Sequence, residues 1–379
     1  MMTEIFLSLF ILLLFHYLFF LFEIFAGLFE LEKTTYSRAI QNEFISIIIA
    51  FRNERDIILK SLKSIEAIDY PEDKFETIYV NDNSDDGSPE LLRESIRKKN
   101  INVIDAPLIA DEMAHKKKAV RYALTFAKGE IIVTSDADCI HPRNWLKILI
   151  PTFDTQTGFV SGPVEFDDDG TLFGKIQKLE FMGLIIAGAG LIGAGKPAIC
   201  NAANLAYRKT AFQEAGGYEG QMNLSSGDDE LLMQQISRKT NYKVKFCFDK
   251  KSVVKTAANK NLSQFYNQRK RWASKGFFYA DKLFIARLVL IFFFYLSLIA
   301  SVIFGFTVSN LFLIYLLSAL LLKIALEYLI IKKGNSRLFN SPVTKYFFIA
   351  ELFQIPYIIL ASIGGVFGNY KWKDRKIKR

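Results

Sequence analysis

Cysteine is scarce in this chain of 379 residues. Cys139, Cys200 and Cys247 are odd in number, far apart and form no Cys-x-x-Cys pair. That spacing suggests neither a disulfide framework nor a zinc site. The pattern of a cleaved leader is also missing. The first apolar stretch has no basic region before it and no Ala-x-Ala after it, so it reads as a retained anchor. No recognisable nucleic-acid motif accompanies the nine excess positive charges. The charge is therefore read as a match to anionic lipid headgroups and nucleotide diphosphates, with no nucleic-acid partner.

Long apolar runs, by contrast, are plentiful. Ile5 to Phe29 is interrupted only by Ser8, His16, Tyr17 and Glu23. Leu288 to Phe306, Asn310 to Ile331 and Phe347 to Phe367 follow late in the chain. Runs of this length cross a bilayer as helices. The third carries Lys323 and Glu327 four apart, a spacing that pairs them on one helix face. The fourth contains Glu351, Gln354 and Pro356. The expected organisation is an anchor at 1–30, a charged domain of mixed composition at 41–282, a membrane region at 283–370 and a basic tail at 371–379. Lys33 and Arg38 after the first run, and Lys332, Lys333, Arg337 and Lys345 between the last two, place the middle domain in the cytoplasm, at the inner membrane. The basic tail disagrees with a fourth full crossing. Phe347 to Phe367 is thus either a span that breaks the charge rule or a re-entrant or interfacial segment. The glycine-laden run Phe181 to Gly195 is expected to lie at the membrane surface, with a core helix as the alternative.

Within the middle domain, strand and helix patterns alternate. Phe44 to Ala50, Phe75 to Val80, Ile101 to Ile104 and Glu130 to Thr134 read as short buried strands. Helical patterns follow them, one from Lys116 to Ala127. Such alternation predicts an α/β fold, a mostly parallel sheet with helices on both faces. Ligands bind such sheets beyond the carboxyl ends of the strands. Polar clusters at Asn53, Asp82 and Asp136-Ala137-Asp138 all fall there. A turn or helix cap explains any one of them; three strand ends so decorated point to one shared site. Asp136 and Asp138 are hard oxygen donors suited to magnesium or manganese shared with a phosphate.

Two later segments add to this. Asp228-Asp229-Glu230 precedes a helical pattern, where acidic residues also favour the helix dipole. Gln268, Arg271 and Trp272 stand at i, i+3 and i+4 and share one helix face. A guanidinium suits a phosphate-like anion, and an indole offers a flat apolar platform.

Ile48 to Glu54 (IIAFRNE), Val80 to Ser88 (VNDNSDDGS), Ala127 to Asp138 and the Gln-x-x-Arg-Trp run resemble membrane-bound family 2 glycosyltransferases of GT-A fold. The resemblance covers roughly Phe44 to Tyr279. It implies that Ala50 to Glu54, including Asn53, lines a nucleoside pocket and that Asp82 binds uracil. Lys117 would sit near the phosphates, and Asp136 and Asp138 would hold the nucleotide-sugar and its Mg2+ or Mn2+. Asp229 would be the general base with Asp228 its neighbour, and Gln268, Arg271 and Trp272 would meet diphosphate and acceptor. Asn81 and Asn83 depart from the Asp and Gly common in the family. The implied activity is inverting transfer from a UDP-sugar to a lipid-linked or polysaccharide acceptor beside the membrane lipids. The rivals are a polyprenyl-phosphate glycosyltransferase, a glycosidase and a non-catalytic nucleotide-binding scaffold.

Overall fold

The computed structural model describes residues 2–33, 43–107, 115–222, 227–367, 370–372 and 375–377. Arg38, the expected domain start at residue 41, Ser225, Ser226 and part of the basic tail lie outside the described residues. The apolar run after the first anchor forms β1 (Ile45–Phe51), whose isoleucines are wholly buried. A strand covered on both faces needs no alternation of polar and apolar residues. It pairs in parallel with β2 (Phe75–Asn81) on one side, and β2 pairs in turn with β3 (Ile101–Asp105). On its other side lies β4 (Ile131–Asp136), also parallel. Helices α2 (Ile58–Glu66), α3 (Ser88–Ser95) and α4 (His115–Leu124) make the crossovers.

Beyond β4 the chain forms α5 (Trp145–Leu149), β5 (Thr157–Ser161), β6 (Val164–Phe166), α6 (Leu172–Gly193), β7 (Leu205–Arg208), α7 (Lys209–Glu214), α8 (Glu230–Lys239), β8 (Lys243–Phe246) and β9 (Val254–Thr256). The main sheet has the order β3-β2-β1-β4-β7-β5-β8. Only β7 runs antiparallel within it. A small second sheet pairs β6 with β9. The mostly parallel α/β architecture expected from the alternation is therefore present.

Helix α9 (Leu262–Ser274) stops at Lys275, and a single tight turn, Gly276–Phe278, follows. Then come α10 (Lys282–Thr307), α11 (Leu311–Leu338) and α12 (Phe347–Phe367). With α1 (Met2–Glu32), these match the four apolar runs, and α12 is one continuous helix through Pro356. A short hairpin, β10 (Tyr370–Trp372) and β11 (Arg375–Ile377), lies beyond them.

Among the described residues, five helices are long and apolar enough to cross a membrane: the four above and α6. It differs from the rest. Two-thirds of its apolar stretch is buried against protein, compared with a third or less in the others. Its glycines explain this. Side chains at Gly27 of α1 or at Gly190 and Gly193 of α6 would collide with the facing backbone. Small residues at a crossing let two helix backbones approach closely. Helix α6 is thus the piece that packs the sheet domain onto the apolar helices, closer to the core-helix alternative than to a surface-lying one.

The four outer helices share a polar cluster. Lys323, fully buried, donates to Glu327 (2.9 Å), Glu351 (2.6 Å) and Gln354 (2.5 Å). Tyr17 of α1 donates to Glu327 and meets Tyr295 of α10 at 3.1 Å. Each charge has opposite or hydrogen-bonding partners, the condition under which ionisable groups are tolerated between such helices.

Candidate active site

Strand register gathers the acidic stations. Phe51 lies opposite Asn81, and Ala50 lies opposite Asp136, so β1, β2 and β4 end level. The chain after β2 turns sharply. Asn83 adopts a left-handed backbone (φ 56°), and Asn53 after β1 does the same (φ 51°). Asparagine tolerates this region better than other residues with a side chain. That is the physical reason Asn83 can stand where the resembled pattern has Gly. Asn81 donates to Asp105 (2.9 Å) and accepts from the Ser84 amide (2.9 Å), fixing the same turn.

Above these ends lies a cavity of ≈ 440 Å3. Of the residues singled out from the sequence, Ala50, Glu54, Asp82, Asp136, Asp138, Asp228, Asp229, Gln268, Arg271 and Trp272 line it. Two do not. Asn53 is turned sideways, its amide donating to Asp85 at 2.8 Å, so it shapes the loop. Lys117 points into the protein, where its ammonium donates to the Gln221 carbonyl (3.0 Å). Burial lowers the Lys117 pKa to about 8, with Asp228 and Asp229 pulling the other way.

Of the three lysines at 116–118, the one that lines the cavity is Lys116, one residue earlier. Its ammonium bridges Asp136 (2.6 Å) and Asp228 (2.8 Å). Burial acts to lower its pKa, but the two carboxylates outweigh that and raise it. The converse holds for Asp228. Burial would raise its carboxyl, yet Lys116 holds it at about 2.

Asp229 is set differently. One carboxylate oxygen accepts from the Glu230 amide (2.7 Å) and faces Lys275 (3.4 Å); the other accepts from the Ala202 amide (3.2 Å). Lys275 also meets Glu230 at 3.1 Å, and Tyr279 donates to Glu230 at 2.6 Å. Burial opposes the charge of Lys275, but Asp229 and Glu230 raise its pKa. Lys275 stands at i+4 from Arg271 and i+7 from Gln268, so helical spacing alone could have revealed it.

Asp136, Asp138 and Cys139 bring potential ligand atoms within 4.8 Å of one another. Burial pushes the Cys139 thiol well up, so it stays protonated and is a poor ligand for a hard ion. The two carboxylates fit one. Asp138 is oriented by Thr256, which donates to it at 3.0 Å. Behind them a closed network stiffens the end of β4. Ser135 donates to the Ala203 carbonyl (2.7 Å), and His141 bridges Ser135 (2.8 Å) and Ser64 (3.0 Å). Burial lowers the His141 pKa to about 3, so it is a neutral strut.

The opposite wall belongs to α9 and α6. Five carboxamides, Asn201, Asn259, Gln264, Asn267 and Gln268, line the cavity beside Phe166, Phe181 and Trp272. Among the described residues the Arg271 guanidinium makes no hydrogen bond or ion pair, which leaves it available to an anion. Sequence patterning missed Asn259 and Phe166, which lie on other elements that no periodicity links to α9; Gln264 and Asn267 share the helix face of Gln268 and Arg271, a spacing that could have found them.

Acidic stations stand at the ends of a mostly parallel sheet, faced by a cationic and aromatic helix, and the known proteins that this chain is similar to are glycosyltransferases. Residues 46–216, under half of the chain, match the family model described as Glycosyl transferase family 2. Glycosyltransferase AglE of Haloferax volcanii is 32% identical over 125 residues, 32% of this chain and 40% of that protein. Poly-beta-1,6-N-acetyl-D-glucosamine synthase of Staphylococcus epidermidis is 24% identical over 241 residues, 62% of this chain and 55% of its own length. Beta-monoglucosyldiacylglycerol synthase of Nostoc sp. is 30% identical over 124 residues, 32% of this chain and 26% of that protein. The chain thus spans about half or less of these curated relatives. Among solved structures, a mannosyltransferase from Pyrobaculum calidifontis, in complex with GDP-Man and Mn2+, superposes with a TM-score of 0.57. At 17% identity, over 95% of this chain and 98% of that one, the likeness shows a shared fold.

Proposed function

We propose that this protein is a membrane-integrated, inverting glycosyltransferase, moving a sugar from a nucleotide-sugar, UDP-linked in our reading, to a lipid-linked or polysaccharide acceptor. The observation that carries the reading is convergence. Asp82, Asp138, Asp229 and Trp272 lie far apart in sequence and line one cavity. Relatives that synthesise a polysaccharide or a glycolipid support the acceptor class. The apolar helices and the cationic residues near their ends support a site on the cytoplasmic side of the inner membrane.

The nucleoside lies against Ala50, Glu54 and Asp82, with the diphosphate over Asp136 and Asp138. These carboxylates would hold magnesium or manganese, which when bound supplies positive charge to the departing diphosphate. Lys116 and Arg271 add cationic hydrogen-bond donors to the same phosphates. Asp229 takes the proton from the acceptor hydroxyl. The freed oxygen pair attacks the anomeric carbon from the face opposite the diphosphate, and the bond to phosphate breaks with its electrons on the leaving group. Lys116 holds the Asp228 pKa down, which makes Asp228 a poor base. Trp272 stacks on the acceptor sugar, and the carboxamides meet its hydroxyls.

Asp229→Asn tests this. Transfer measured with radiolabelled UDP-sugars on membranes carrying the protein should fall by roughly 10²–10⁴-fold, the scale of a lost general base. Calorimetric binding of UDP with Mn2+ should persist. Largely intact transfer would instead favour a polyprenyl-phosphate acceptor, which needs no strong base. A wild-type protein that binds UDP and Mn2+ but releases no sugar would be a scaffold.

A further inference from the structure

We propose that helix α12 takes part in the reaction through two positioning residues, Tyr357 and Glu180, which set Arg269 and through it the Trp272 platform. The proposal rests on Trp272 being the acceptor platform. Glu180 lies on α6 and Arg269 on α9. Arg269 Nε donates to one oxygen of Glu180 at 3.2 Å, and a second guanidinium nitrogen donates to the other oxygen. This fork fixes the plane of the guanidinium as well as its position. The Tyr357 hydroxyl, from α12, donates to the same Glu180 carboxylate at 2.6 Å. Arg269 is almost fully buried, at 4% exposure, so its charge depends on this one carboxylate.

The guanidinium in turn carries the site. Its carbon lies 4.3 Å from the centre of the Trp272 ring and 4.5 Å from that of Phe265. Desolvated cations hold aromatic faces in this way. Arg269 also donates to the Gln268 carboxamide oxygen at 2.7 Å, which fixes a second cavity residue. Neither Glu180 nor Tyr357 lines the cavity, so both act through α9.

Helix α9 lies directly along α12. A side chain at Gly365 would come within 2.6 Å of the Ala273 methyl. Tyr266 donates to the Leu360 carbonyl at 3.1 Å, and the Tyr357 ring meets Phe265 edge-on at 5.6 Å. A movement of α12 at Tyr357 is therefore passed to Trp272 through two hydrogen-bonded contacts and one stack. The last apolar helix does more than anchor the chain.

The test uses the full chain in bilayer nanodiscs and the donor and acceptor that the wild type turns over. Tyr357→Phe keeps the ring against Phe265 and removes only the hydroxyl. It should raise the acceptor KM about tenfold, the scale of one hydrogen bond to a charged group, while leaving UDP affinity unchanged. Glu180→Gln should act in the same direction and more strongly. Phe353→Leu, on an exposed face of α12, should do nothing. Hydrogen exchange across 262–274 should speed up in Tyr357→Phe, a readout that needs no substrate. Should Glu180→Gln fail to fold, Tyr357→Phe decides alone. Unchanged acceptor KM, an equal loss of UDP affinity, or unaltered exchange in α9 would each overturn the proposal. A wild type with no transfer at all would sink the functional reading separately, and the exchange measurement would still judge this one.

Discussion

Lys275→Met probes the electrostatics beneath the proposed base. In the folded protein Lys275 is the cation shared by Asp229 (3.4 Å) and Glu230 (3.1 Å), and all three are buried. Removing it leaves two adjacent carboxylates with no counterion between them. Breaking a buried pair by deleting one partner costs roughly 3–5 kcal/mol. At about 2–4 °C per kcal/mol for a domain of this size, the melting temperature should fall by about 6–20 °C. The pH dependence identifies the cause. Burial already raises the Glu230 pKa, and Lys275 is the strongest force opposing that rise. Without Lys275 the folded-state pKa climbs further above the unfolded value. A group raised in the folded state contributes its stability fully below the unfolded pKa and loses it as pH rises through the folded one. The deficit of Lys275→Met against wild type should therefore be widest at neutral pH and narrow on acidification. Glu230→Gln placed in the same chain should recover part of it. Differential scanning calorimetry of purified protein between about pH 5 and 8 reads both effects. A deficit flat across that range, or a double variant no more stable than the single one, refutes the charge argument and leaves lost packing as the cause.

Two further outcomes follow from the helices. Gly27→Leu should abolish transfer and expose the chain to proteolysis, because a side chain there collides with the Gly190 backbone and drives α6 from α1; intact assembly by size-exclusion chromatography would count against this crossing. Lys323→Met strands Glu327 and Glu351 between apolar helices and should lower the thermal midpoint in detergent by several degrees. Lys323→Met combined with Glu351→Gln should be the more stable of the two, and equal midpoints would show that charge is not what matters there.

Much of the sheet was legible because buried strands announce themselves as short runs such as Ile45 to Ala50, and because their ends carry Asp82, Asp136 and Asp138. The strand limits came within a residue or two. Helix α6 was harder to read. Its glycine-laden run read as a segment at the membrane surface, yet those glycines are what α1 needs to come close. A pattern of small residues takes its meaning from the partner surface, which one segment does not display. Lys117 lies off the cavity lining for a related reason. Three lysines stand in a row at 116–118, and successive residues on a helix point about 100° apart. Only the seating of α4 against β1 and β2 decides that Lys116 meets Asp136 and Asp228 while Lys117 meets the Gln221 carbonyl.

The run Gln268-Arg269-Lys270-Arg271 shows what that angular step does to function. Three adjacent cations of similar chemistry leave α9 in three directions. Arg269 goes to Glu180 and lies over Trp272; Lys270 lies over the Tyr266 ring at 5.6 Å; Arg271 enters the cavity. Helical spacing from Gln268 and Trp272 picks out Arg271 from sequence alone, since those three share a face. It gives Arg269 no role, because its carboxylate partner Glu180 lies on α6, and the hydroxyl that also holds that carboxylate lies on α12. A charge-preserving exchange at Arg269 is therefore the sharper discriminator of the two. Arg269→Lys keeps the charge but loses the fork and the planar stack. It should weaken acceptor use as Tyr357→Phe does, and it should leave UDP affinity unchanged.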